Sequence, residues 1–190
     1  MLIYFSNDDH YYPYLSKISG VSVRKIKRII EGRPWSWLDK DEISQMDFDR
    51  MVSHKLGIEE KDIKWYEAYV KEGRLNRPLM REARKLSKSY KVAYLTNVDM
   101  SRYTYTIKVM KPYAKVFDRE FASCYIHLRK PGKEIYLYAA HKLGVKPEEA
   151  VFIDNQKNNV DGAKRAGLKA ILFKNNEDLR KKLRKLEVKW

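Results

Sequence analysis

Short apolar runs and helical patterns alternate along the second part of the chain. Apolar runs cover residues 92–95, 150–153 and 170–173, and a weaker one covers 117–123. Between these runs, apolar residues recur about every three to four positions, as they do along one face of a helix. From about residue 78 onward, this alternation predicts an α/β fold with a parallel sheet and helices on its faces.

The part of the chain from about residue 10 to 75 has helical periodicity and no clear strand. Residues 26–30 carry the apolar spacing of one helix. Ser44 and Asp47 resemble a capping box that opens a second helix, in which Asp47 would reach back toward the start of the helix. A third helix is indicated around residues 63–70. We therefore predict an all-helical insert ahead of the α/β portion.

The composition is that of one folded domain. The chain has 190 residues, of which 44% are apolar and 13% aromatic, so it can bury one substantial core. No apolar run reaches the roughly 20 residues of a membrane span. There is no basic segment followed by an apolar stretch at the N-terminus, and Cys124 is the single cysteine. These features lead us to expect no membrane association and a cytoplasmic location.

The net charge of +15 raises the question of a nucleic-acid partner, because Lys and Arg contacts to phosphates supply much of such affinity. The densest basic runs, at residues 24–28 and 180–185, are interleaved with Ile and Leu at helical spacing. That spacing is typical of amphipathic helices with a solvated face, and no recognised nucleic-acid-binding motif accompanies the charge. We favour this interpretation and keep nucleic acid as a lesser alternative.

Polar residues follow two of the predicted strands, and a lysine opens a helix between them. Thr96 and Asn97 end the first apolar run, and Asp154 and Asn155 end the one at 150–153. In an open parallel sheet, ligands bind beyond the carboxyl ends of the strands. Hydroxyl and amide groups there suit phosphoryl oxygens, a lysine such as Lys130 supplies positive charge, and an aspartate is an oxygen ligand of the kind that Mg²⁺ prefers.

The order and flanking residues of these groups resemble three sequence motifs of the haloacid dehalogenase-like (HAD) hydrolase superfamily. The resemblance is closest to its small phosphatases with an inserted helical cap, a group that includes the N-terminal phosphatase domain of some epoxide hydrolases. The residues that carry the resemblance lie at 95–97, 128–136, 151–163 and 167–173, with 41–44 and Phe48 in the insert.

Several expectations follow from this resemblance. It implies a Rossmann-like three-layer core with a parallel sheet, formed by residues 1–9 and 76–190, and an inserted helical cap at 10–75. It also implies Mg²⁺ as cofactor and a small phosphorylated substrate that is hydrolysed through an aspartyl-phosphate. Thr96 would bond the transferring phosphoryl group, Lys130 would neutralise it, and Asp154 with Asn155 would hold the metal.

The chain departs from the family pattern at two positions. Where the fourth motif of the family usually has two adjacent acids, Asn155 follows Asp154, which should weaken Mg²⁺ binding. The first motif, normally an apolar strand ending in Asp-x-Asp or Asp-x-Gly, is degenerate. In one register, residues 2–5 are that strand, Ser6 takes the place of the nucleophile and Asp8 keeps the general acid/base position. In the other register, the nucleophilic Asp lies upstream of Met1.

Two main functions and a weaker third are consistent with these residues. The first is a phosphatase acting on a small phosphorylated metabolite. The second is a weak or inactive relative that binds a phosphorylated ligand or nucleic acid, because a serine without an adjacent base is a poor nucleophile. A metal-independent dehalogenase is the third. Substrate identity and oligomeric state are not encoded in any motif that we find.

Overall fold

The computed structural model describes residues 11–72 and 75–189, which fold into a helical cap followed by an α/β core. The cap, residues 11–72, contains the helices α1 (Tyr11–Ser19), α2 (Val23–Ile30), α3 (Arg33–Asp39), α4 (Gln45–Leu56) and α5 (Trp65–Glu72). The core, residues 75–189, contains α6 (Arg77–Leu86), β1 (Ala93–Thr96), α7 (Met100–Met110), β2 (Arg119–Ala122), α8 (Ser123–Ile126), α9 (Lys133–Leu143), β3 (Val151–Asp154), α10 (Lys157–Arg165), β4 (Lys169–Leu172) and α11 (Asn176–Lys185).

Local sequence signals set the bounds of α4. The Ser44 side chain accepts a hydrogen bond from the Asp47 amide at 3.1 Å, and Gly57 ends the helix with a positive φ of 66°. Asp47 accepts from the Ser44 hydroxyl at 2.6 Å instead of reaching back to the backbone. The predicted capping box is therefore only half formed, because the two side chains satisfy each other.

The cap has a hydrophobic core of its own. The buried side chains of this core come from α1 to α4 and from the segment before α5, and they are Tyr11, Tyr12, Leu15, Ile26, Ile30, Leu38, Phe48, Val52, Leu56 and Ile63. The sequence pattern missed α1 and α3, although α1 supplies Tyr11, Tyr12 and Leu15 and α3 supplies Leu38. Pro34 stands in the first turn of α3, where a proline is tolerated because its nitrogen needs no partner.

The four strands of the core form two parallel pairs. β1 pairs with β2 in the register Thr96 to Ala122, and β3 pairs with β4 in the register Asp154 to Leu172. We expected the strands at 92–95, 150–153 and 170–173 to share one sheet. Within the described residues no backbone ladder joins β1 to β3, and side-chain contacts link the two pairs instead.

Side chains of β3 and β4 alternate between two helical layers, as expected for strands covered on both faces. On one face, Phe152 packs with Ile135 of α9 and Ala163 of α10. On the other face, Ile171 packs with residues of α6 and α11. The core is therefore an α/β fold with three layers, in agreement with the sequence prediction.

No helix in the described part of the chain is long and apolar enough to span a bilayer.

Candidate functional site

The loop after β1 and the segment before α9 are joined through one amide side chain. Asn97 Oδ1 accepts a hydrogen bond from the Lys130 amide at 2.9 Å, and Asn97 Nδ2 donates to the Lys130 carbonyl at 3.0 Å. Both polar atoms of Asn97 therefore bind backbone. This geometry assigns Asn97 to holding Lys130 in place, a contribution that the sequence analysis did not foresee.

The Lys130 ammonium group bridges the two strand pairs. Its Nζ atom donates to Asp154 Oδ2 at 2.8 Å, at the end of β3, and to the Leu95 carbonyl at 3.1 Å, in β1. The residue is only 8% exposed, and its ammonium group lies 5.5 Å from the ring centroid of Phe152. Because an ammonium group has three N–H donors, one donor is left that no residue of the described ranges 11–72 and 75–189 accepts.

Asp154 is buried and held by several donors, whereas its neighbour Asn155 is exposed. Asp154 Oδ1 accepts from the Gln156 amide at 2.8 Å, and Oδ2 accepts from Asn159 Nδ2 at 3.2 Å as well as from Lys130. Asn159 is buried, and its carbonyl accepts from the hydroxyl group of Tyr136 at 2.7 Å. Asn159 was not singled out from the sequence, although it lies in the segment that carries the family resemblance.

The Thr96 hydroxyl is a second donor at this edge that no described residue binds. Thr96 is the last residue of β1 and is partly exposed, and its hydroxyl makes no hydrogen bond within the part of the chain that the structure describes. The structure thus brings Lys130 and Asp154 into direct contact, with Asn97 bound to the Lys130 backbone and Thr96 at the end of the neighbouring strand β1. The catalytic roles of these residues stay predictions.

A close approach of α10 fixes the position of the segment that carries Lys130. A Cβ atom at Gly162 would lie 2.5 Å from the Pro131 carbonyl oxygen and 2.9 Å from the Pro131 Cβ. Only glycine leaves room for this contact. The peptide bond between Lys130 and Pro131 is cis.

A buried polar cluster connects the cap to both of these loops. Asp39, the last residue of α3, is fully buried, and its two oxygens accept from Arg102 Nη2 at 2.8 Å and from Arg129 Nε at 2.7 Å. Asp99 also pairs with Arg102, whose guanidinium group stacks 4.5 Å from the ring centroid of Trp35. Burial raises the pKa of the Asp39 carboxyl, while the two guanidinium groups lower it. The sequence analysis missed this cluster because α3 itself was not predicted.

The described residues do not by themselves form a magnesium site. None of their His, Cys, Asp and Glu side chains make a group of three that could hold a metal ion. Asp154 already accepts three hydrogen bonds, and its neighbour Asn155 is uncharged and exposed. Mg²⁺ needs about six oxygen ligands in an octahedral arrangement, so further ligands would have to come from elsewhere. Ser6 and Asp8, the predicted nucleophile position and general acid, lie outside the described residues.

Cys124 is not a candidate nucleophile. Its side chain is 2% exposed, and burial raises the pKa of the thiol to about 11. Because the thiolate is the reactive form, this thiol is inert near neutral pH.

Comparisons with known proteins agree with the fold. The sequence profile of the haloacid dehalogenase-like hydrolases matches residues 17–167. A flavin mononucleotide hydrolase of Arabidopsis thaliana is 38% identical over 68 residues, which are 36% of this chain and 28% of that protein. A glyceraldehyde 3-phosphate phosphatase of Methanopyrus kandleri is 48% identical over 44 residues, 23% of this chain and 19% of that protein. The matched region thus spans less than a third of these relatives.

A solved structure resembles the whole described fold. The HAD family enzyme bt-2542 of Bacteroides thetaiotaomicron superposes with a TM-score of 0.74 at 20% identity, covering 93% of this chain and 91% of that one. A complex of the same enzyme holds magnesium and inorganic phosphate and superposes with a TM-score of 0.71, at 20% identity, over 90% of this chain and 89% of that one. The profile match over most of the chain, together with the three-layer core and its cap, shows that this protein belongs to the haloacid dehalogenase-like hydrolase family.

Proposed function

We propose that this chain binds the phosphoryl group of a small phosphate ester at the carboxyl ends of β1 and β3 and hydrolyses it to the alcohol and inorganic phosphate. The observation that carries this proposal is the Lys130 ammonium group, which is buried between Asp154 and the Leu95 carbonyl and has one N–H donor that no described residue accepts. A charge fixed in this way needs little reorganisation when a phosphoryl group arrives.

The chemical logic rests on positioning and charge. Phosphoryl transfer is catalysed mainly by orienting the reactants and stabilising charge on the transferring group. Asp154 orients the Lys130 ammonium group, and the Thr96 hydroxyl, which no described residue binds, adds a neutral donor at the end of β1. The relatives named for hydrolysis of flavin mononucleotide and of glyceraldehyde 3-phosphate support a small phosphorylated substrate.

The nucleophile and the metal in this proposal are taken from the resemblance to the family. By resemblance to the family, a carboxylate would attack phosphorus and expel the alcohol, and water would then release inorganic phosphate from the aspartyl-phosphate. Mg²⁺, when bound, would neutralise the phosphoryl oxygens. In this sequence the nucleophile position would be either Ser6, with Asp8 as general acid, or an aspartate upstream of Met1. Asp154 would contribute one ligand to the metal, with Asn155 as a neutral neighbour.

A second candidate function is binding of a phosphorylated ligand without turnover. The neutral Asn155, which is exposed and next to Asp154, favours this alternative because it removes one of two expected charges. Both functions require the same anion site and differ in turnover. The net charge of +15 would also attract such ligands through long-range electrostatics.

Calorimetric titration with inorganic phosphate tests the anion site. We expect the wild-type protein to bind phosphate and Lys130→Ala to bind it at least about tenfold more weakly, since one charge-stabilising group is worth on the order of 10²-fold in an active enzyme. Lys133→Ala is the matched control, because it removes the same charge from an exposed position one turn away. Equal affinity of the wild type and Lys130→Ala would contradict the proposal, provided that thermal melting shows both proteins folded.

Turnover of a generic phosphate ester in the presence of Mg²⁺ separates the two candidate functions. If Ser6 occupies the nucleophile position, the 190-residue chain should show little turnover, and Ser6→Asp should increase it. Phosphate binding without turnover in either protein would favour the ligand-binding alternative. Robust turnover by the unmodified chain would show that another nucleophile acts.

A further inference from the structure

The fully buried carboxylate of Asp39 joins the cap to the two loops that carry the candidate site. Arg102 belongs to the first turn of α7, which begins shortly after Asn97, and Arg129 immediately precedes Lys130. Each oxygen of Asp39 binds a different one of these arginines, at 2.8 Å and 2.7 Å. Asp39 of the cap therefore contacts both the start of α7 and the segment before α9.

These contacts tie together the same two loops that Asn97 ties within the core. Asn97 pairs with both backbone polar atoms of Lys130, and Asp39 spans from Arg102 to Arg129 on the cap side. The separation between the loops sets where the Lys130 side chain begins. Its ammonium group must span from the Leu95 carbonyl to Asp154, so a shift of either loop breaks one of these bonds.

The charges of the polar cluster around Asp39 balance. The cluster is therefore a poor anion site but is suited to holding the cap against the core. Asp39 and Asp99 carry two negative charges, and Arg102 and Arg129 carry two positive ones. Arg129 and Arg102 are mostly buried, with 24% and 12% of their side chains exposed. Guanidinium groups bound to carboxylates in a geometry with few free donors hold their partners in a fixed orientation.

We propose that Asp39 is a positioning residue of the cap, which holds the Asn97 and Lys130 loops at the separation that the phosphoryl site requires. The site is then completed only when the cap is docked, because the cap supplies the shared carboxylate. This inference rests on the proposed phosphoryl-binding function for its consequence. The geometric part, the fixed loop separation, can be measured without any ligand.

The test compares Asp39→Asn with Asp41→Asn. Asp41 is the matched control, because it lies two residues away, is exposed, and has a positive φ of 58° that asparagine tolerates. We expect Asp39→Asn to weaken inorganic phosphate binding at least tenfold and to speed amide hydrogen exchange at residues 97–99 and 128–130. Asp41→Asn should leave both measurements unchanged. If Asp39→Asn leaves both phosphate affinity and exchange as in the wild type, Asp39 has no positioning role.

A double variant guards against simple loss of folding. Removing one partner of a buried ion pair leaves a charge without compensation, whereas removing both does not. Asp39→Asn combined with Arg129→Gln should therefore melt at a higher temperature than Asp39→Asn alone, yet still bind phosphate at least tenfold more weakly than the wild type. Wild-type phosphate affinity in the folded double variant would overturn the proposal.

The two proposals fail in different ways. If the wild-type protein does not bind phosphate, the proposed function is wrong, and the positioning role is still decided by hydrogen exchange in Asp39→Asn against Asp41→Asn. If the wild type binds phosphate and Asp39→Asn binds it equally well with unchanged exchange, only the positioning role is wrong.

Discussion

Lys130 shows how much one side chain in this molecule depends on its neighbours. Asn97 binds its backbone, and Asp154 and the Leu95 carbonyl bind its ammonium group. The preceding residue, Arg129, is bound by Asp39. The sequence indicated Lys130 and Asp154 as site residues from their places after strands and before a helix. It gave no signal for Asn97 as a loop connector, because the spacing of residues does not tell which backbone atoms an amide will meet.

Asp49 in α4 is a second residue with an unusual environment. Burial raises the pKa of its carboxyl to about 6, although Gln45 donates a hydrogen bond to it at 2.8 Å. In the unfolded chain an aspartate titrates near 3.9. Between about pH 4 and 6 the unfolded state releases this proton while the folded state keeps it, so this residue lowers the free energy of unfolding as the pH rises.

We therefore predict that Asp49→Asn stabilises the protein relative to the wild type at pH 7 but not at pH 4. Because Asp49 is only partly buried, solvent screening reduces the effect to about 1 kcal/mol. Urea unfolding of both proteins at the two pH values measures it, with Glu31→Gln, at an exposed carboxyl elsewhere in the cap, as the control. A difference between Asp49→Asn and wild type that does not change with pH would contradict the assignment.

At the scale of elements, the packing of α10 against the Lys130–Pro131 segment sets the position of the site. α10 ends at Arg165, two residues before Gly167, where the backbone takes a positive φ of 92°. The sequence pattern predicted helices between the strands in this part of the chain. It did not predict that Gly162 faces Pro131, because a glycine within a helix gives no indication of what it contacts.

Gly162→Ala should destabilise the fold by about 2 kcal/mol, since the added methyl group would meet a backbone oxygen and a proline ring that cannot rotate away. This cost exceeds the roughly 1 kcal/mol that alanine gains over glycine inside a helix. Urea unfolding measures the stability, and phosphate titration measures any shift of Lys130. For comparison, Gly32→Ala places its methyl group no closer than 3.6 Å to any atom and should have a small effect. Equal stabilities of Gly162→Ala and wild type would show that α10 can move without consequence.

At the scale of the whole molecule, the cap and the core have separate hydrophobic clusters. The buried apolar cluster of the cap involves residues from 11 to 68, and the other clusters of the described residues all lie from residue 75 onward. Polar contacts connect the two parts, among them the Asp39 cluster and a 2.7 Å hydrogen bond between His127 Nδ1 and the Lys40 carbonyl. Interfaces of this polar kind between parts of a chain are weaker than a shared core.

We predict that the cap unfolds at a lower urea concentration than the core, because it is the smaller part and buries less surface. Three of the four tryptophans, including Trp35 and Trp37, precede residue 72, so tryptophan fluorescence reports mainly on the cap. Labelling of the buried Cys124 reports on opening of the core. The fluorescence midpoint should lie below the labelling midpoint, and coincident midpoints would mean that the two parts unfold together.

The sequence by itself determined the order of elements, the fold class and the identity of the residues at strand ends. These depend on local patterns: apolar runs for buried strands, periodic spacing for helices, and glycine where the backbone must take a positive φ. The tertiary structure alone decided the contacts of Asn97, Asn159 and Gly162 and the cluster around Asp39. Each of these joins parts of the chain whose approach depends on packing, so no local pattern records it. The tertiary structure also decided the helices α1 and α3, because packing in the cap core stabilises them more than local sequence signals do.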